Sequence, residues 1–85
     1  MKLVKGKVYE IDWLDTFGYS GWYDEEDLSE KAKSMTMFQR SVGMFAWGNK
    51  DWVVLALTTN PNRDFRRWGA PTWIPKKVIK SIKRL

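Results

Sequence analysis

The chain has 85 residues, room for one small domain, and its 44% hydrophobic and 29% charged content is globular rather than disordered or fibrous. It has no cysteine and no histidine, which excludes disulfides, thiolate zinc sites and a cysteine nucleophile and removes the commonest metal ligand and neutral-pH base; neither an enzyme nor a cofactor is expected. The net charge of +5 is unevenly laid out: residues 1–30 carry three basic and eight acidic side chains, residues 31–85 twelve basic and two acidic. The second part therefore suits an anionic partner, and the two parts suit each other across a subunit contact.

Residues 7–13 alternate, with Tyr9, Ile11 and Trp13 on one side and Glu10 and Asp12 on the other, which predicts a first strand after Gly6. Residues 14–23 mix two glycines and a serine with aromatics and read as a loop. Asp24 is placed to cap a helix over about 25–34: acids follow it at the positive end, Lys31 and Lys33 lie near the negative end, and Leu28 and Ala32 share a face. Three turns of helix need packing to persist. Residues 35–47 return to strand-forming types, with Gly43 suggesting a bulge or bend.

Gly48-Asn49-Lys50-Asp51 is a tight turn, and residues 52–59 form the strongest strand of the chain, so the two strands are expected to make an antiparallel hairpin. Asn60-Pro61-Asn62 ends it, and residues 61–70 form a basic, aromatic loop. A short strand at Thr72–Ile74 follows. The tail permits a helix opened by Pro75, or one tight turn over Pro75–Val78 and a closing strand; the second is preferred because a small barrel otherwise lacks its last strand. The sum is a mainly β fold, an antiparallel barrel of about five strands with one inserted helix, in a single domain spanning residues 1–85.

No segment approaches ~18 uninterrupted apolar residues and the start has no apolar run, so neither a membrane contact nor a signal peptide is expected, and the cytoplasm is the expected compartment. Six Trp, four Phe and three Tyr exceed what so small a core encloses, since each ring buries ~150–250 Å². Some indoles are thus expected at the surface, in a groove or at a homo-oligomer contact.

The closing section, from Trp52 through Thr72–Ile74 and Pro75–Val78 to Ile79–Arg84, resembles the end of an SH3-like barrel. Over nearly its whole length the chain is similar to a widespread group of short, uncharacterised tailed-phage proteins. The matching pieces are Trp13-Leu14-Asp15, Gly21-Trp22, Ser41-Val42-Gly43, Ile74-Pro75-Lys76 and Ile79-Lys80-Ser81-Ile82. That resemblance implies a role in viral counter-defence within the host cell cytoplasm: a sponge for nucleotide immune signals, a nuclease blocker or a nucleic-acid binder.

Among candidate binding residues, Arg66-Arg67-Trp68 stands first, because an Arg fork matches phosphate oxygens and an indole stacks on a base. Trp13, Asp15, Tyr19 and Trp22 form a second set, in which Asp15 is suited to a ribose hydroxyl or base amine. Ser41, beside Gly43, is a phosphate donor or simply part of a bulge, and Lys76 adds charge at a turn. Asp24, Glu25, Glu26 and Asp27 are spaced for capping rather than for a metal. The expected function is non-catalytic sequestration of an anionic nucleotide of the cyclic-dinucleotide type in a homo-oligomer. The alternatives are a DNA- or RNA-binding barrel and a protein that inhibits a host defence or polymerase subunit.

Overall fold

The computed structural model describes residues 1–15, 21–34, 38–60 and 65–85. The fold is mainly β. Strand β1 spans Val8–Leu14, helix α1 Glu25–Ser34, β2 Phe38–Gly48, β3 Trp52–Ala56, β4 Thr58–Thr59, β5 Trp68–Gly69, β6 Thr72–Pro75 and β7 Ile79–Arg84, with a one-turn 3-10 helix at Lys76–Val78 between the last two. Five strands form an antiparallel sheet in the order β6-β3-β2-β1-β7, and β4 and β5 pair separately as a small ribbon. The chain runs β1, β2, β3, β6 as a meander and β7 returns beside β1. The sheet is open: β6 and β7 are its two edges, joined through the 3-10 turn.

The sheet's inner face carries the core. Tyr9, Ile11, Val53, Leu55 and Ile74 are buried together, with Leu3, Trp13, Phe45, Ile79 and Ile82 packed around them. Each fully buried side chain of this kind stabilises the fold by about 1.5–3 kcal/mol. The Tyr9 hydroxyl, enclosed with its ring, accepts a hydrogen bond from the Val4 N–H at 2.8 Å, which ties the N-terminal segment across the sheet. Gly6 N–H to the Phe45 carbonyl (3.0 Å) and Phe45 N–H to the Lys7 carbonyl (2.9 Å) extend that tie.

The turn between β2 and β3 is built by Asn49, whose side-chain oxygen accepts from both the Asp51 and Trp52 N–H groups at 2.9 Å. On the outer face of β1 and β2, Arg40 grips Asp12 with two parallel hydrogen bonds of 2.8 and 3.0 Å and reaches Glu10 at 3.6 Å. The Arg40 guanidinium holds the Asp12 carboxyl below its ordinary value, and Asp12 in turn holds Arg40 above its own.

Helix α1 covers the expected residues. Asp24 caps it, accepting the Asp27 N–H at 2.8 Å, while its carbonyl takes the Leu28 N–H. The helix covers no part of the core: apart from half-buried Lys31, every residue from Gly21 to Lys33 is exposed. The radius of gyration is 16.4 Å, against about 12 Å for a compact chain of this length, and the extents are 55 × 25 × 21 Å. Among the described residues no helix is long and apolar enough to cross a membrane.

Two local expectations are corrected, and the preferred reading of the tail holds. Gly43 is no bulge: it pairs regularly with Tyr9, and the irregularity in β2 lies between Phe45 and Trp47. A Cβ at Gly43 would come within 2.8 Å of the Ala56 carbonyl oxygen, so glycine is there for close strand approach. The strand expected over residues 52–59 breaks at Leu57, and its last two residues leave the main sheet to pair with Trp68–Gly69, residues expected in a loop. Residues 79–84 are strand, and the helical alternative for the tail is ruled out.

Candidate functional site: a tryptophan and arginine groove

Among the described residues, the outer face of β2, β3 and β6 brings together a concentrated set of aromatic and basic side chains. Register places Trp47 opposite Val54 and Val54 opposite Trp73, so two indoles flank one buried valine across three strands. The break in register between Phe45 and Trp47 makes this happen. Phe45 points into the core, so strict alternation would send Trp47 inward too. One extra residue, Ala46, turns both itself and Trp47 to the outer face.

Trp68 closes a third side. It packs on buried Ala46, Val54 and Ala56, whose short side chains leave room for the ring. The result is a groove of about 410 Å³ lined by Trp47, Trp68, Trp73, Arg66, Arg67 and Pro71 over a floor of Ala46 and Val54. Trp47 and Trp73 remain 46% and 56% exposed, an unusual cost for two such rings unless something covers them.

The arginines are held by the β4–β5 ribbon. Asn60 clamps its base, accepting the Arg67 N–H at 2.6 Å and donating to the Phe65 carbonyl at 3.0 Å. The Arg67 carbonyl accepts from the Thr59 hydroxyl at 2.8 Å. Both backbone groups of Arg67 are thereby fixed while its side chain stays exposed. The Arg66 guanidinium lies over the Trp68 ring, 4.3 Å from its centre, with Nε donating to Thr59 Oγ1 at 3.4 Å. Gly6, at φ +82°, makes space for it: a Cβ there would sit 2.8 Å from Arg66 Nη2. Among the described residues no carboxylate pairs with either guanidinium.

A second concavity of about 430 Å³ adjoins it along the ribbon, lined by Thr58, Thr59, Asn60, Arg67, Trp68 and Gly69. Arg67 and Trp68 belong to both hollows.

Of the residues expected at a binding site, the structure brings together Arg66, Arg67 and Trp68. Trp13 and Ser41 meet each other instead: the Trp13 indole N–H donates to Ser41 Oγ at 3.0 Å, beside the core. Trp22 is wholly exposed just before α1. Asp15 is half-buried past the end of β1, and Tyr19 lies outside the described residues. Lys76 lines a different hollow, of about 450 Å³, with Leu3, Phe45, Val53, Ile79 and Ile82 at the open side of the core. Sequence reasoning missed Trp47 and Trp73. Trp73 was within reach, since Ile74 beside it must point inward. Among the described residues no cluster of carboxylates is placed to hold a metal ion.

Comparison of the chain with protein families, with curated proteins and with solved structures finds no match in any of the three.

Proposed function

We propose that this chain is a non-catalytic binder of an anionic nucleotide with two bases, of the cyclic-dinucleotide type. The observation that carries the reading is the pair of adjoining hollows that share Arg67 and Trp68. One base stacks among Trp47, Trp68 and Trp73; the other enters the hollow bounded by Thr58, Thr59 and Asn60. The phosphates between them meet Arg66 and Arg67, which have no carboxylate among the described residues to satisfy them. Binding without turnover depletes a signal, and it asks for stacking surfaces and fixed cations rather than for a nucleophile or a general base.

Isothermal titration against a panel of cyclic dinucleotides tests it. Micromolar or tighter binding to at least one member is expected, weakened at least tenfold in Arg67→Ala. Absence of heat with every member, at protein well above micromolar, overturns the reading. The open face of the groove favours one rival, single-stranded DNA or RNA threaded across the indoles. That rival predicts affinity falling steeply and log-linearly with salt over many phosphates, where a ligand with two phosphates gives a shallow slope.

A further inference from the structure

Helix α1 is built but unused. Ten residues of helix are marginal in water unless packed, yet Leu28 is 55% exposed and Trp22, three residues before the helix, is in complete contact with solvent. The cations of the helix are engaged locally: Lys33 pairs with Glu30 at 3.2 Å and Lys31 sits over the Tyr23 ring at 5.0 Å. Glu25, Glu26 and Asp27 of the first turn pair with no cation among the described residues. Trp22, Glu25, Glu26 and Leu28 therefore form a surface that is aromatic, acidic and open. The groove between Trp47 and Trp73, edged by Arg66 and Arg67, is aromatic, basic and open. The two are complementary in charge and in apolar character, and α1 projects away from its own sheet.

We infer that Trp22 and the first turn of α1 dock in the tryptophan groove of a second copy of this chain, the indole entering between Trp47 and Trp73 and the carboxylates of Glu25 and Glu26 meeting Arg66 and Arg67. Made reciprocally, the contact closes a two-fold dimer, buries the exposed indoles and supplies the packing that the helix lacks. It does not depend on any nucleotide. Where one is present, phosphate and helix carboxylates compete for the same guanidinium groups, so ligand opens the dimer.

The test is sedimentation velocity on the full chain without nucleotide. Self-association is expected at low salt, weakened by high salt. Charge reversal on the helix (Glu25→Lys with Glu26→Lys) and on the groove (Arg66→Glu with Arg67→Glu) should each weaken it about tenfold or more, and mixing the two reversed chains should restore a hetero-pair. Trp22→Ala guards against misfolding as an explanation: the ring is fully exposed, so its removal should leave the fold intact, with association weakened. A chain monomeric at all salt concentrations overturns the inference. So does association that survives both reversals, or reversed chains that fail to pair when mixed. Cyclic-dinucleotide binding by a monomeric chain would sink the dimer and leave the nucleotide reading standing; a dimer with no nucleotide affinity would do the opposite.

Discussion

At the scale of single residues, the groove separates side chains that bind from side chains that make room. Trp73 stands half in water on the outer face while its neighbour Ile74 is fully buried. Trp73→Ala should therefore cost about 1–3 kcal/mol of ligand affinity, the worth of one base–indole stack, with little loss of thermal stability; titration calorimetry and a melting curve read the two separately. Gly43→Ala should do the reverse. Its new methyl would meet the Ala56 carbonyl and, at 3.2 Å, Leu55 Cβ, in a neighbouring strand that cannot move without breaking the sheet. The expected cost is about 1–3 kcal/mol of folding free energy, seen as a lower denaturant midpoint. Gly6→Ala acts on both, straining a backbone at φ +82° and displacing the Arg66 guanidinium from its place against Trp68.

At the scale of elements, the helix and the β4–β5 ribbon show what a local pattern does and does not disclose. Helix α1 was legible to its ends, because a capping aspartate, acids in the first turn and lysines in the last are all local signals. Asp24→Ala should cost about 0.5–2 kcal/mol of helix stability; since α1 packs on none of the core, far-UV helical signal should fall while the melting temperature of the sheet holds. The closing 3-10 turn and β7 were legible for a similar reason, Pro75 fixing the corner. The ribbon was not. Residues 52–59 are uniformly strand-forming, and the break at Leu57 is imposed from a distance, by Trp68–Gly69 pairing with Thr58–Thr59 and by Asn60 clamping Phe65 and Arg67. Trp47 was hidden by the same kind of cause. Alternation read from Phe45 gives the wrong face, and only the pairing of β2 with β3 reveals the extra residue at Ala46. Asn60→Ala should loosen the ribbon and weaken binding with the core untouched, a split that ligand titration and core-amide hydrogen exchange would resolve.

At the scale of the whole molecule, charge organises the outer face of the sheet into two regions. One holds the Glu10, Asp12 and Arg40 cluster; the other holds the indoles and two guanidiniums that pair with no carboxylate among the described residues. The mainly β class followed from the sequence because β1 alternates, with Tyr9 and Ile11 buried, and β3 is a run of branched and apolar residues buried on both faces. The groove did not follow, since it needs three strands in register at once. The Asp12 carboxyl, held below its ordinary value chiefly by its hydrogen bonds to Arg40, contributes stability that is present above the usual carboxylate range and lost as pH falls through its lowered pKa. Acid unfolding followed by circular dichroism should show a small step below the ordinary carboxylate range, absent in Asp12→Asn.

The edge strand β7 has, among the described residues, one side with no neighbour in the sheet, and it carries Lys80, Lys83 and Arg84 along six residues. Those charges keep the bare rim from serving as a template on which other chains would stack. Acetylating the two lysines, or replacing them with threonine, should leave the monomer's fold in place yet shorten the lag before fibrils form, an outcome that thioflavin fluorescence would record.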